Sequence, residues 1–301
     1  MSATSKRPLC LVTGASGFLG ARLVPALRER FDLVCASRTR PAGHGFRFEA
    51  VDLAEPSSLS RSALSSLSPE IVLHAAVAGA PELAKDPERA RSVNETAVEW
   101  LATQFRSCGR FVFCSTDLVF DGESAPYAET DEPRPISEYG RSKHRGEAIV
   151  GEAMGDRAVV ARLALLYGWP PRGRDSFLAS FLERARLGTP TALFVDEVRS
   201  PLYAEDAASQ LAELCAVEAP PDTVHLAGDE ACSRYEMGLR ACEVFGLAPS
   251  LAVSARQADR PELGPRPRDV TLDRDRARAL GFFSRPYDAG LRAMNVSMAG
   301  S

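Results

Sequence analysis

A short apolar stretch that runs into three evenly spaced glycines opens the chain, and it constrains the fold more than any other feature. Residues Leu9–Val12 have the composition of a buried strand, and Gly14, Gly17 and Gly20 follow at intervals of three. A helical pattern then covers Ala21–Arg30. Glycines allow a tight strand-to-helix turn and let the backbone approach a pyrophosphate, which a helix N-terminus attracts. The pattern predicts a dinucleotide-binding loop; a plain strand-to-helix turn is the alternative, because the spacing differs from Gly-x-Gly-x-x-Gly.

Strand-like and helical segments alternate along the rest of the chain. Further apolar segments predict strands at Leu33–Ala36, Phe46–Val51, Ile71–His74, Arg110–Cys114, Ala158–Leu163 and Thr223–Leu226. Helical patterns lie between them, including Ala84–Ser107 and Ser137–Ala153. Strands joined by helical crossovers predict an α/β fold with a doubly wound, Rossmann-like parallel sheet. Ligands of such sheets bind at the carboxyl ends of the strands.

The residue composition changes after Gly168, where a loop rich in proline, glycine and arginine begins. Strand and helix patterns typical of the first part return near residue 205. We therefore predict a dinucleotide-binding domain formed by residues 1–167 plus 205–246. A smaller, interleaved substrate-binding lobe is predicted for residues 168–204 plus 247–295.

Two polar segments predict a catalytic site. Thr116 follows the apolar strand that begins at Arg110, and Tyr139 and Lys143 lie four residues apart in a predicted helix, so they share a face. A free tyrosine has a pKa of about 10, and an adjacent ammonium lowers it. Thr116 would hydrogen-bond a substrate oxygen. Together the three residues predict general-acid reduction of a carbonyl group.

Charge at the end of the second strand favours NADP(H) as the cofactor. Ser37 and Arg38 stand there, with Arg40 close by and no acidic residue. An acidic side chain would bind the ribose 2′-hydroxyl of NAD, whereas arginine suits the 2′-phosphate of NADP. The alternative is a pair of solvated loop arginines, in which case NAD stays open.

These motifs resemble a known family. The chain is similar to the extended short-chain dehydrogenase/reductases and, within them, to the dTDP-4-dehydrorhamnose reductase family of nucleotide-sugar reductases, over nearly its whole length. The closest match is a central block that contains Ser115–Gly122, Tyr139–Lys143 and Gly146-Glu147. Arg266-Pro267 resembles the family's final Arg-Pro segment.

The resemblance implies roles for particular residues. Asp52 and Leu53 correspond to the adenine side of the cofactor site, and Asn94 to a helix position that supports the active site. Independently of the resemblance, Asp117 is a candidate for a hydrogen bond near the substrate. Arg172, Arg174 and Arg199 are candidates for binding a diphosphate, and Arg199 is the best placed because it lies in the crossover back to the first domain. The implied cofactor-binding residues are Gly14, Ser16, Gly17, Phe18, Leu19, Gly20, Ser37, Arg38, Asp52, Leu53, Ala75, Ala76, Tyr139 and Lys143.

The implied function is NADP(H)-dependent reduction of a keto group, on a nucleotide-linked 4-keto-6-deoxy sugar. Leu118 replaces the glutamate of sugar-nucleotide dehydratases, which disfavours a dehydratase. The rhamnose-pathway reductases usually carry tyrosine at Leu118 and tryptophan at Leu165, so the identity of the sugar stays open. Two alternatives remain: a nucleotide-sugar epimerase with tightly bound NAD(P), and a non-catalytic NADP-binding subunit resembling the methionine adenosyltransferase β subunit.

Composition narrows the remaining classes. The net charge of −4 over 301 residues gives no basic footprint for nucleic acid, and no apolar run is long enough to span a membrane. Seven cysteines without a Cys-x-x-Cys motif favour reduced thiols in the cytoplasm. The four histidines lack metal-ligand spacing, so no metal is expected. The expected partner is a small molecule, with a homodimer as a further expectation.

Overall fold

The computed structural model describes residues 7–171 and 175–299. Its strands, in chain order, are β1 (Leu9–Thr13), β2 (Asp32–Ser37), β3 (Phe46–Ala50), β4 (Ile71–His74), β5 (Arg110–Thr116), β6 (Ala158–Leu163), β7 (Leu166–Tyr167), β8 (Thr191–Phe194), β9 (Val198–Arg199), β10 (Leu202–Tyr203), β11 (Thr223–Leu226), β12 (Cys232–Ser233) and β13 (Ala252–Ala255). Its helices are α1 (Gly20–Leu27), α2 (Pro56–Arg61), α3 (Ala80–Lys85), α4 (Pro87–Arg91), α5 (Ala97–Gln104), α6 (Glu138–Met154), α7 (Phe177–Arg186), α8 (Ala204–Ala216), α9 (Arg234–Val244), α10 (Asp275–Ala279) and α11 (Tyr287–Ala299).

Seven strands form one sheet in the order β11-β6-β5-β4-β1-β2-β3. β1 pairs in parallel with β2 and β4, and the next pairings outward, β2 with β3 and β4 with β5, are parallel too. The chain therefore starts in the middle of the sheet, builds one half and then the other, as a doubly wound sheet does. The predicted α/β, Rossmann-like fold is confirmed.

The central strands are apolar because both of their faces are covered. All residues of β4 and all but the first residue of β1 and β5 are buried. Leu11, Val72, Phe111 and Phe113 belong to one core cluster with the buried side of α5, including Leu101. Continuous apolar runs of this kind are typical of parallel strands covered by helices on both faces. The core thus fixes the strand ends, from which the candidate site residues project.

One predicted helix is wrong in detail. The pattern over Ala84–Ser107 is broken into α3, α4, a π-helical segment at Ser92–Thr96 and α5. Pro87 causes the first break, because proline has no N–H and disfavours helical geometry in the residue before it. Asp86 caps the new helix, since its carboxylate accepts a hydrogen bond from the backbone N–H of Arg89 at 3.0 Å.

The chain divides into two compact units. The first unit holds residues 1–115, 142–161 and 211–223, and the second holds 116–141, 162–210 and 224–301. Four segments that the sequence predicted for the dinucleotide-binding domain belong to the second unit: 116–141, 162–167, 205–210 and 224–246. Contacts within that unit explain the placement of 116–141, because Tyr127 bridges to Leu272 and a Cβ on Gly122 would lie 2.6 Å from the backbone nitrogen of Arg268.

Candidate active site

The glycine loop is a tight cradle of backbone. Gly14 has φ of +70°, which favours glycine, and a Cβ there would lie 2.6 Å from the backbone of Ala76. A Cβ on Gly20 would lie 2.1 Å from the carbonyl oxygen of Gly14. Gly17 N–H donates to that same oxygen at 2.8 Å. The three glycines and Ala75-Ala76 at the end of β4 thus leave bare backbone where α1 begins, which fits a pyrophosphate-binding turn.

A buried hydrogen bond joins the two strands beneath this loop. Thr13 Oγ1 lies 2.8 Å from His74 Nδ1, and Ala76 N–H donates to Thr13 Oγ1 at 3.4 Å. Burial, assisted by the Lys143 ammonium, lowers the pKa of His74 to about 3, so its imidazole is neutral. His74 therefore holds the end of β4 on the end of β1.

The residues that follow β2 differ in their freedom to bind a phosphate. Ser37 is buried, and its hydroxyl donates to the carbonyl oxygen of Thr39 at 2.8 Å. The Arg40 guanidinium lies over the ring of Phe46, 4.9 Å from its centroid. Arg38 is exposed. Of the two arginines, Arg38 is therefore the one that the structure presents to solvent without an aromatic contact.

Asp52 has a partner that sequence reasoning missed. Arg89 Nη2 donates to Asp52 Oδ2 at 2.5 Å, and Ala54 N–H donates to Asp52 Oδ1 at 3.0 Å. Partial burial opposes the charged carboxylate, but these hydrogen bonds and the nearby Arg38 outweigh it and lower the pKa of Asp52. Arg89 lies on α4, the short helix that begins after the break at Pro87. Asp52 is anchored beside cationic groups at the end of β3.

Tyr139 and Lys143 lie one turn apart on α6, as the sequence predicts. Tyr139 is half-buried in the first turn, and Lys143 is buried. The helix fits tightly at both ends of this segment. A Cβ on Gly140 would lie 2.1 Å from the carbonyl oxygen of Leu118, and one on Gly146 would lie 2.5 Å from the ring of Phe113. At these two positions a side chain would collide with its neighbour, so glycine is what allows α6 to lie where it does.

Lys143 is a buried cation in an arginine-rich chain. Its Nζ lies 4.0 Å from the centroid of the Phe113 ring, a cation–π contact. Burial lowers the pKa of Lys143 to about 8. The chain contains only three lysines, Lys6, Lys85 and Lys143. Lysine shifts its pKa on burial whereas arginine stays charged, so this rare choice of residue is a signal for chemistry that the sequence analysis did not use.

Thr116 ends β5 in a hydrogen-bonded turn. Its hydroxyl donates to Asp117 Oδ1 at 3.1 Å and accepts from Leu118 N–H at 3.3 Å. Asp117 is buried, and its Oδ2 has no hydrogen-bond partner among the residues that the structure describes. Burial raises the pKa of Asp117, against the fields of Arg199 and the Thr116 hydrogen bond. Asp117 is therefore a buried neighbour of Thr116, and its contact with a substrate stays a prediction.

Asn94 supports α6 from the π-helical segment. Its Nδ2 donates to the carbonyl oxygen of Ala78 at 2.9 Å and to Ser142 Oγ at 3.0 Å, and its Oδ1 accepts from Ala78 N–H. Ser142 directly precedes Lys143. Asn94 is buried, so it is not a surface residue. The contact agrees with the supporting position that the family resemblance implies.

Arg199 is enclosed in a charged cluster of the second unit. Its guanidinium donates to the carbonyl oxygens of Val198, Pro267 and Arg268 and pairs with Glu197 at 3.2 Å. Only 2% of its side chain is exposed. These contacts anchor the loop that contains the Arg266-Pro267 segment. Arg199 is therefore a structural anchor in this arrangement, whereas the sequence analysis named it as a substrate candidate.

The centre of this cluster, Glu197, carried no signal in the sequence. Its carboxylate is fully buried and receives Arg234 Nε at 2.8 Å and Arg266 Nε at 2.7 Å, besides Arg199. Burial opposes its ionisation, but the three guanidiniums outweigh that effect and lower the pKa of Glu197 to about 2. Arg234 also lies over the ring of Phe177, 4.2 Å from its centroid.

The remaining predicted positions lie in apolar clusters or outside the described residues. Leu118 and Leu165 are partly buried and pack against apolar clusters. Arg172 and Arg174 lie outside the described residues. Across residues 7–171 and 175–299, no three or more His, Cys, Asp or Glu side chains form a group that could hold a metal ion. No helix in the same ranges is long and apolar enough to cross a membrane.

Comparison with known proteins places the chain in a family. The family model described as the RmlD substrate binding domain matches residues 9–299. The chain belongs to this family. The probable low-salt glycan biosynthesis reductase of Haloferax volcanii is 34% identical over 273 residues, which cover 87% of this chain and 88% of that protein. Methionine adenosyltransferase 2 subunit beta of Bos taurus is 29% identical over 297 residues, which cover 94% and 85%.

Solved structures support the same fold. The dTDP-4-dehydrorhamnose reductase of Bacillus anthracis, crystallised in complex with NADP, aligns with a TM-score of 0.82 at 22% identity. The alignment covers 97% of this chain and 99% of that one. The resemblance to the dTDP-4-dehydrorhamnose reductase family is confirmed. Members and relatives of this family thus include proteins named as reductases and a protein named as a subunit of another enzyme.

Proposed function

We propose that the protein is an NADP(H)-dependent reductase that acts on a keto group of a nucleotide-linked 4-keto-6-deoxy sugar. The observation that carries the proposal is Lys143, an ammonium held in a buried place one helical turn from Tyr139. Burying a cation is costly, and strongly shifted groups of this kind concentrate at functional sites. Thr116, at the carboxyl end of β5, completes the proposed set of catalytic residues.

The proposed roles follow from the chemistry of carbonyl reduction. Bound NADPH supplies a hydride to the carbonyl carbon. Tyr139 donates its phenolic proton to the oxygen, so that the product is an alcohol and the tyrosine is left as phenolate. The Lys143 ammonium favours that phenolate and thereby lowers the pKa at which Tyr139 gives up its proton. Thr116 hydrogen-bonds the same oxygen, for which its hydroxyl turns away from Asp117.

The cofactor proposal rests on the glycine cradle and on charge. Gly14, Gly17 and Gly20 present bare backbone at the start of α1, where a pyrophosphate would receive N–H donors. Arg38 is the proposed ligand of the 2′-phosphate, because both arginines are exposed but the Arg40 guanidinium lies over the ring of Phe46. Ser37, with its hydroxyl turned inward, would contribute through its backbone. NADP is thus favoured over NAD.

Two alternatives fit parts of the same site, and a specific observation favours the second. A nucleotide-sugar epimerase would use the same threonine, tyrosine and lysine but keep its cofactor. A regulatory subunit is favoured by the 29% identity with the methionine adenosyltransferase subunit, which extends over 94% of this chain.

Buried cysteines without disulfides fit the proposed cytoplasmic location, where thiols stay reduced. Homodimer formation remains a prediction.

One experiment separates these functions. The purified protein is dialysed, its nicotinamide absorbance is measured, and NADPH oxidation is then followed with a panel of nucleotide-linked 4-keto sugars. A reductase exchanges its cofactor in every cycle, so we expect a largely empty protein that oxidises NADPH with at least one sugar. Cofactor that survives dialysis in stoichiometric amount would favour the epimerase. Exchangeable cofactor without turnover, together with co-purification of a larger partner, would favour the regulatory subunit.

A further inference from the structure

Lys143 can serve the proposed reaction only if it stays protonated in a place that opposes its charge. Its aliphatic chain is buried against β5, and its Nζ contacts the face of Phe113. Burial has already lowered its pKa to about 8. Any further loss of favourable charge nearby would leave a neutral amine at physiological pH. The groups that face this ammonium therefore decide its protonation state.

Most of the titratable neighbours described around Lys143 carry no charge near neutral pH. Cys114, on β5, is a thiol at pH 8, because burial raises its pKa to about 12. His74, on β4, is a neutral imidazole, because burial lowers its pKa to about 3. The imidazole and the thiol thus supply no negative charge near the ammonium. Glu147, four residues after Lys143 on α6, is the remaining neighbour whose field raises the pKa of the lysine.

Glu147 is held by a short hydrogen bond. Ser115 Oγ donates to Glu147 Oε1 at 2.5 Å, and both side chains are buried. The bond ties α6 to the end of β5, one residue before Thr116. His144 Nδ1 lies 3.8 Å from Glu147 Oε2, so this histidine is the second titratable group that faces the carboxylate. Glu147 therefore connects the strand that carries Thr116 with the helix turn that carries Lys143.

We propose that Glu147 is a positioning residue that acts through Lys143: its negative charge keeps the lysine an ammonium, and its hydrogen bond with Ser115 fixes the lysine's helix on β5. The inference rests on the proposed function, in which the Lys143 ammonium favours the phenolate of Tyr139. A purely structural tie would need only a hydrogen-bond acceptor. A glutamine at this position would satisfy Ser115 equally well, so charge and tie can be tested separately.

Glu147→Gln is the decisive variant, because it keeps the acceptor for Ser115 and removes the charge. Lys143 is observed directly by NMR titration of 13Cε-labelled lysine, in which a chain with three lysines gives few signals, and Lys143→Met assigns the relevant one. We expect the Lys143 midpoint to fall by about one pH unit. The alkaline limb of the turnover profile should move down by the same amount. An unchanged midpoint would overturn the inference.

Three controls make the result specific. Glu152→Gln removes one negative charge from an exposed position of the same helix and should leave the midpoint in place. Ser115→Ala breaks the tie but keeps the charge, so its midpoint should stay near that of the wild type; a fall there would show that the tie alone sets the protonation state. A His144→Asn background removes the other group that faces the Glu147 carboxylate.

The two proposals fail in different ways. A wild-type protein that turns over no keto sugar while its Lys143 midpoint still depends on Glu147 would reject the reductase and leave the electrostatic role intact. Turnover whose alkaline limb ignores Glu147→Gln would keep the reductase and reject the inference. If Glu147→Gln does not fold, Glu147→Asp, which retains the charge but shortens the reach to Ser115, must keep the wild-type midpoint; a fall by a full unit would again reject the inference.

Discussion

At the scale of single residues, Lys143 shows the conflict between function and stability most clearly. Folding takes its ammonium out of water, and this desolvation lowers the pKa of Lys143 from 10.5 to about 8. The unfolded chain binds more protons than the folded one between these two values. Stability therefore rises with pH across this window, and below pH 8 the full penalty of about 3 kcal/mol opposes folding.

Replacing Lys143 with methionine should make the protein more stable and inactive. The variant keeps the apolar length of the side chain and loses the buried charge, while the cation–π contact with Phe113 is also lost. We expect the unfolding free energy at pH 7 to rise by about 1–3 kcal/mol. The gain should shrink as the pH rises from 8 to 10.5. Urea unfolding at several pH values measures it, with the exposed Lys85→Met as control; a destabilised methionine variant at pH 7 would contradict the argument.

Tyr139→Phe tests the proposed acid directly. Only a hydroxyl is lost, so the fold and the affinity for NADPH should persist. Turnover should fall by roughly 10²–10⁴, the usual contribution of a positioned general acid. Steady-state kinetics and fluorescence titration with NADPH give both numbers. If the phenylalanine variant turned over at the wild-type rate, Tyr139 could not be the proton donor.

Arg38→Ala tests the choice of cofactor. Charge-assisted hydrogen bonds to a phosphate contribute about 1.5–3 kcal/mol each, so NADPH should bind about tenfold more weakly or worse. NADH lacks the 2′-phosphate and should bind almost as before. Isothermal titration with both cofactors provides the comparison, and Arg40→Ala is the matched control because its guanidinium lies over Phe46. Equal losses for NADPH and NADH would mean that Arg38 does not contact the phosphate.

At the scale of elements, α6 positions the proposed catalytic residues by close packing. Gly146 lies against the ring of Phe113, and that ring also carries Lys143 on its face. Gly151, further along the same helix, has open space where a Cβ would stand. The contact with Phe113 therefore requires glycine at position 146, whereas position 151 has room for a larger side chain.

A pair of glycine-to-alanine variants should show opposite signs. Alanine favours a helix interior over glycine by about 1 kcal/mol, so Gly151→Ala should stabilise the protein by roughly 0.5–1 kcal/mol. In Gly146→Ala the new methyl would stand 2.5 Å from the Phe113 ring, and we expect a net loss of about 1–3 kcal/mol. Urea unfolding compares the two. If both alanine variants stabilised the protein equally, Gly146 could not be in close contact with the Phe113 ring.

Patterns along the chain predict these elements unequally. Strands such as β1, β4 and β5 were predictable because a strand buried on both faces must be apolar throughout, and the glycine spacing at Gly14–Gly20 marks the first turn. The break of the predicted helix at Pro87 was foreseeable from proline itself. The contact of Arg89 with Asp52 was not foreseeable, because it depends on the direction in which α4 runs after the break.

At the scale of the whole chain, long-range contacts decided what sequence could not. Tyr139 and Lys143 were predictable because helical spacing alone puts them together. Arg199 was assigned to substrate from its place in the chain, yet the structure encloses it with Glu197. No local pattern marks Glu197, since its three arginine partners lie at positions 199, 234 and 266 and meet only in the folded second unit. The spacing of residues along the chain therefore cannot predict which arginines pair with a buried carboxylate such as Glu197.

Glu197 should therefore control the acid stability of the second unit. Its pKa of about 2 lies below the ordinary 4.5, so its contribution is complete above pH 4.5 and is lost as the pH falls through 4.5 towards 2. Glu197→Gln leaves Arg199, Arg234 and Arg266 without their shared anion, and we expect it to lower the unfolding free energy at pH 7 by about 3–5 kcal/mol. The deficit should narrow between pH 4.5 and 2, where the wild-type carboxylate becomes protonated. Denaturant unfolding across this range measures it, and Glu262→Gln, which breaks an exposed pair with Arg260, should change stability little. A pH-independent deficit would mean that the variant acts through packing and not through charge.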